Sequence, residues 1–312
     1  MQSLNLSQFH PVAKWIFAIC CMFVCYIVFT LLGLLVSMPF FHLSFKQILE
    51  TMDNGLQLSS IGFLKFNQLI QSVGFFVIPG IILSFLFKTG KKPYFSYDFN
   101  FSLNIALFVL ITIFLSTPFI NFLLELNLRL KLPEWLSGVE DLMQSMETKS
   151  QMLMDKMLVT KNVLGLIFNI LLIAVIPAMG EEFIFRGIFQ QLFREWFRNA
   201  HTAIIVTAII FSAVHFQFYG FLPRMALGIY FGYLFVWYRS IWVPVLAHFF
   251  NNAFAVIMYY LYEQSKIETN PDDIGSTLSH DWYYLLPSIV LLFTFIGLSY
   301  YFRPEKKIQN QV

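Results

Sequence analysis

An all-α polytopic integral membrane protein with about eight transmembrane helices is the fold class this sequence predicts, on three observations. Of its 312 residues, 58% are hydrophobic and 12% charged, about half the charge of a soluble globular domain, which averages roughly 25%. Eight stretches are apolar for long enough to cross about 30 Å of hydrocarbon at about 1.5 Å per residue. The lysines and arginines gather in alternate connections, the pattern of helices whose ends face the cytoplasm in turn. A net charge of +2 without a basic stripe gives no sign of a nucleic-acid partner.

In chain order the predicted helices are 14–36, 65–87, 103–124, 163 to about 192, 201–219, 222–238, 241–262 and 283–302. The first runs from Trp15 to Val36 without a charge. It is too long for the core of a cleaved signal peptide, about 7–15 residues, and is read as a mature helix. Cys20, Cys21 and Cys25 fall inside it without metal spacing and act as small hydrophobes. Helix two begins with Lys65, Asn67, Gln68 and Gln71 among apolar positions, so one side of its end faces headgroups or the bundle interior. In the connection 127–162, Ser137 and Glu140 fit a capping box. Val139, Leu142, Met143, Met146, Leu153 and Met157 fall largely on one helical face. An amphipathic helix on the outer interface and a Met-rich lid both fit that pattern.

Orientation follows from Lys88, Lys91 and Lys92 after helix two, Arg194 and Arg198 after four, Arg239 after six, and Arg303, Lys306 and Lys307 after eight. Asp272, Asp273 and Asp281 fall on the opposite side. Both termini are thus expected in the cytoplasm, with the protein in the plasma (inner) membrane. Without repeats or a soluble domain, the chain reads as one membrane domain. Residues 1–162 give three helices and the amphipathic interfacial segment, 163–302 the core helices, and 303–312 a cytoplasmic tail.

Three polar clusters interrupt the second half: Gly180-Glu181-Glu182-Phe183-Ile184-Phe185-Arg186, Phe211-Ser-Ala-Val-His215, and His248-Phe-Phe-Asn251-Asn252. Ionisable groups in hydrocarbon cost roughly 2.5–3.5 kcal/mol each, so they call for partners and a purpose. Glu182 and Arg186, four apart, share a helical face and form an ion pair; Glu181, about 100° away, faces a cavity. His248 and Asn252 are again four apart. Counting helical rise from the cytoplasmic ends puts Glu181, His215 and His248 at roughly 18, 21 and 12 Å, one layer opening more readily to the cytoplasmic side. A carboxylate base, a proton-passing histidine and two neutral donors in one layer are the parts of a hydrolytic site.

At Glu181-Glu182-xxx-Arg186, Phe211-xxx-His215 and His248-xxx-Asn252 the chain resembles the CAAX protease and bacteriocin-processing (CPBP, or Abi) family of intramembrane endopeptidases, over roughly residues 163–262. The resemblance implies proteolysis near the cytoplasmic leaflet. Glu181 and His215 would activate water, His248 and Asn252 would hold the oxyanion, and Glu182 and Arg186 would support the geometry. It implies a peptide or protein substrate, membrane-associated or lipidated in some members, because eukaryotic members remove the last three residues of prenylated CAAX proteins. Some bacterial members are linked instead to bacteriocin maturation or immunity. A zinc ion held by Glu181, His215 and His248 is one mechanism; the metal-free glutamate mechanism is favoured, because Glu182 is turned from that face and leaves zinc-bound water without a separate base. Two other classes remain: a transporter or proton relay using the same Glu and His residues, and a non-catalytic immunity or scaffold protein. A relay spreads its groups through the membrane's depth, whereas a hydrolytic site gathers them in one layer.

Overall fold

The computed structural model describes residues 6–44, 46–47, 61–88, 90, 92–98, 102–268, 282–301 and 303. Lys91, Asp272, Asp273, Asp281, Lys306 and Lys307, used above for orientation, lie outside the described residues, as does all but Arg303 of the tail. Nine longer helices run through the rest. They are α1 (Pro11–Phe40), α2 (Ile61–Leu86), α3 (Leu103–Leu128), α4 (Ser137–Leu158), α5 (Val163–Phe197), α6 (Ala200–Ala213), α7 (Phe221–Tyr238), α8 (Trp242–Glu263) and α9 (Trp282–Tyr301). α1, α2, α3, α5 and α8 are each long and apolar enough to cross a membrane. Their apolar outsides suit lipid: Phe23, Val24, Ile27, Leu31 and Leu35 of α1 are all exposed. The protein is a polytopic all-helical membrane protein.

Two expected elements differ. The helix expected over 201–219 stops at Ala213, because Phe216 takes a left-handed backbone (φ 52°) and the chain turns back through a short 3₁₀ turn, Phe218–Gly220, into α7. α6 is therefore only about 21 Å long. The capping box at Ser137 does not form: Leu136 is the N-cap of α4, without a side-chain cap, after a 3₁₀ turn Glu134–Leu136.

α2 and α5 bring the N-terminal half against the polar clusters, and their sequences explain how. Each contains a wider π-type turn (Val73–Val77 in α2, Ile170–Val175 in α5) just before a proline, Pro79 or Pro177. Such turns are frequent at functional sites. The two helices then cross glycine to phenylalanine in both directions. A Cβ on Gly80 would stand 2.7 Å from Phe183 Cβ, and one on Gly180 would stand 2.7 Å from Phe76 Cβ. Small residues permit this close approach, which fixes the position of the neighbouring Glu181.

Contacts at the two ends of the bundle define its direction. At one end Lys14 pairs with Glu195 at 2.9 Å, and the Tyr94 hydroxyl donates to the same carboxylate at 2.7 Å. Burial, then the Glu195 carboxylate, pushes that hydroxyl above the usual tyrosine range, so it remains a donor. The Tyr238 hydroxyl donates to the Ser299 carbonyl at 2.8 Å, which brings the last turns of α9 to this same end. At the other end Lys65 donates to Asn169 Oδ1 at 2.6 Å, and Asn169 Nδ2 to the Leu158 carbonyl at 2.7 Å. The polar start of helix two thus faces the bundle interior and ties down the end of α4.

Candidate active site

Arg186 is the electrostatic centre. Its side chain is fully buried; Nη1 donates to Glu182 Oε1 at 2.8 Å and Nη2 to the Gly228 carbonyl at 3.0 Å. The Phe211 and Phe231 rings lie 4.6 and 5.5 Å from its guanidinium carbon, within cation–π range. The ion pair expected from the four-residue spacing is present.

Glu182 does more than that spacing indicated. Its Oε1 also lies 2.9 Å from His248 Nδ1, so it is not turned away from the imidazoles. An ionised carboxylate only accepts, so Nδ1 carries the proton and His248 presents Nε2 to the cavity. Phe231 stacks on the His248 ring at 5.3 Å, with the planes 24° apart.

His215 lies past the end of α6. Its Nδ1 is 2.7 Å from the Phe211 carbonyl, which also only accepts, so His215 too presents Nε2. Phe211 supplies this carbonyl and the ring under Arg186, and packs edge-on to His215 at 5.0 Å. That is a physical reason for phenylalanine in the second motif.

Glu181 meets both rings. Its Oε2 stands 3.8 Å from His248 Nε2 and 4.0 Å from His215 Nε2, and is buried without a hydrogen-bond partner among the described residues. These separations are too long for direct hydrogen bonds and right for one water between. They also exceed the edge of about 3.3 Å implied by zinc bonds of about 2.0–2.1 Å in a tetrahedron. Among the described residues no three His, Cys, Asp or Glu side chains are spaced to hold a metal.

Asn252 Nδ2 donates to the Ile173 carbonyl at 3.2 Å. Pro177, four residues after Ile173, has no N–H to return to that carbonyl, so the amide satisfies a backbone group that the proline freed. One of its two amide hydrogens is thus engaged, and Oδ1 accepts from Asn251 at 3.1 Å.

Glu181, His215, His248 and Asn252 all line one cavity of about 650 Å³. It extends along α5 through Pro177 and Leu172, and along α8 to Tyr259, and is walled by Met154, Met157 and Leu158 of α4. The Met-rich surface considered for this segment is therefore in contact with the site at its last turns. Val139 and Leu142, nearer its start, are exposed apolar residues, as an interfacial helix requires. The cavity extends toward the end of the bundle opposite Lys14, Glu195 and Ser299. The depth count above treated α6 as a straight rod through His215, whereas His215 lies past its end. Arg224 and Asn251 also line the cavity; Asn251 belongs to the third polar cluster but was given no role, and Arg224 was missed, since a lone arginine after Pro223 reads as a helix start.

The fold and site define a polytopic helical membrane protein with a buried carboxylate–imidazole–guanidinium cluster at the inner end of a cavity. Residues 163–254 match the family model for Rce1-like type II CAAX prenyl endopeptidases, so the resemblance read from the three motifs holds over that stretch. The chain is 34% identical over 103 residues to the putative membrane peptidase YdiL of Bacillus subtilis (strain 168), covering 31% of this chain and 41% of that one. It is 33% identical over 98 residues to the membrane-embedded CAAX protease MroQ of Staphylococcus aureus (strain USA300), covering 30% and 39%. The matched stretch spans about two fifths of each of these relatives. No solved structure matches the chain.

Proposed function

We propose that this protein is an intramembrane endopeptidase of the CAAX-protease type, hydrolysing a peptide bond with water activated by Glu181. The observation that carries the reading is Glu181 Oε2, unbonded among the described residues and facing the Nε2 atoms of two imidazoles at 3.8 and 4.0 Å within the cavity. Water there donates one hydrogen to Glu181 and the other to His215 Nε2, leaving a lone pair to attack the scissile carbonyl. Glu181 takes the proton as the tetrahedral oxyanion forms and passes it to the leaving nitrogen as the C–N bond breaks. The second amide hydrogen of Asn252 faces the oxyanion; His248 joins it from Nε2 in the enzyme form that has taken a proton from solvent before substrate binds and keeps it through the cycle, with Glu182 and Arg186 fixing its ring. The test is mass spectrometry of peptides released by membranes carrying the wild type and not by those carrying Glu181→Gln. A proton relay or an immunity scaffold releases none.

We propose that this chemistry runs without metal. Purified active protein is expected to hold far less than one zinc per chain by elemental analysis and to keep its turnover in chelator. Stoichiometric zinc whose removal stops cleavage overturns this.

The termini are proposed to be cytoplasmic in the plasma membrane, from the basic residues near them. Because the cavity extends toward the opposite end, substrate is then admitted from the outer side or laterally from lipid, rather than through the cytoplasmic face. Single cysteines at Gln264 and Arg194, in a background lacking the three native thiols, separate the orientations. An impermeant maleimide added to intact cells should label position 264 and spare 194; the reverse pattern inverts the protein.

A further inference from the structure

The cavity holds a cation that the hydrolytic reading does not use. Arg224, in the first turn of α7, lines the same cavity as Glu181 and His248. Its Nη1 donates to the Gln217 carbonyl at 3.0 Å and its Nη2 to Gln217 Oε1, so the 217–221 turn grips two of its five N–H donors. The turn is shaped for it: a Cβ on Gly220 would stand 2.5 Å from Nη2. The carboxylates that face it, Glu147 of α4 and Glu181 of α5, form no ion pair with it within 4.0 Å. Glu147 Oε2 is buried with no hydrogen-bond partner among the described residues. A guanidinium in the wall of an intramembrane cavity that bonds only to neutral groups, with no carboxylate in ion-pair range, keeps free donors that match a carboxylate.

We propose that Arg224 receives a carboxylate of the peptide substrate and sets the cut at a fixed spacing from it. This rests on the endopeptidase reading. The carboxylate comes either from the peptide's C-terminus or from an Asp or Glu side chain.

Three pools of synthetic decapeptides given to the full-length protein in detergent test this: free acids, the same sequences amidated at the C-terminus, and amidated sequences without Asp or Glu. The third pool is expected to be cut at least about tenfold more slowly than the free acids, as loss of a charge-assisted contact implies. If the C-terminus is read, the second pool slows with it. If a side chain is read, the second pool stays fast and its cuts fall at one offset from Asp or Glu. Arg224→Gln should raise KM at least about tenfold for carboxylate peptides, hold kcat within a few fold and leave the third pool unchanged; Arg224→Lys should restore part of the preference. Equal cutting of all three pools by the wild type overturns the proposal, as does an Arg224→Gln variant that slows every pool alike. The wild-type comparison decides it even if the variant fails to fold. Cutting that needs Glu181 but ignores carboxylates sinks this inference alone; no Glu181-dependent cutting of any pool sinks the endopeptidase reading and this inference with it.

Discussion

Glu181→Gln is expected to lower peptide release by about 10²–10⁴-fold, the range lost with a positioned general base, while the folded protein stays in the membrane. The two halves of that expectation have separate causes. Activity falls because an amide presents a hydrogen-bond acceptor of the same shape but holds no proton at neutral pH, so water between Oε2 and the imidazoles loses its base. Stability holds because Glu181 Oε2 makes no hydrogen bond to another described residue, and because Gly180, not Glu181, makes the crossing with Phe76. Neutralising a carboxylate near the cavity wall also removes a desolvation cost. Thermal unfolding in detergent should therefore differ from the wild type by a few degrees at most. Cleavage at the wild-type rate by a correctly folded Glu181→Gln protein would remove the assignment of the base.

The parts of this site that the sequence made legible are those set by local periodicity. Apolar run lengths located the helices, and the four-residue spacing of Glu182 and Arg186 gave their ion pair, because both lie on one helix and share its face. What stayed hidden depends on contacts between helices. The same periodicity that freed Glu181 also separated Glu182 from the imidazoles, yet His248 has nitrogens on two edges of its ring and so reaches both glutamates. His215 falls inside the predicted helix 201–219 because Phe216, Phe218 and Tyr219 continue its largely apolar run with neither proline nor an early glycine; only the left-handed Phe216 ends the helix. The structural use of Asn252 needs Pro177 on another helix to free a carbonyl, which no spacing within α8 reveals. The cavity wall contributed by α4 and the direction in which the cavity extends are likewise products of the assembled bundle.

Arg186→Ala is expected to destabilise the fold by about 3–5 kcal/mol, the cost of removing one partner from a buried ion pair. Alanine leaves the fully buried Glu182 charge without its cation and the Gly228 carbonyl without its donor, and it opens a space between the Phe211 and Phe231 rings. His248 loses its fixed neighbour as well, since Glu182 Oε1 accepts from both Arg186 and His248. Tryptophan-fluorescence unfolding in detergent should show the loss directly. The control that separates charge from packing is the double variant Glu182→Gln with Arg186→Met. It keeps most of the volume and removes both charges, so it should recover much of the stability that Arg186→Met alone forfeits, with a positive coupling of about 1–3 kcal/mol between the two sites. It should nevertheless remain slow, because a neutral amide at 182 no longer holds the His248 ring as strongly by Nδ1. A double variant as unstable as the single one would mean that Arg186 acts by filling space among aromatic rings, and that the charge on Glu182 is not what it offsets.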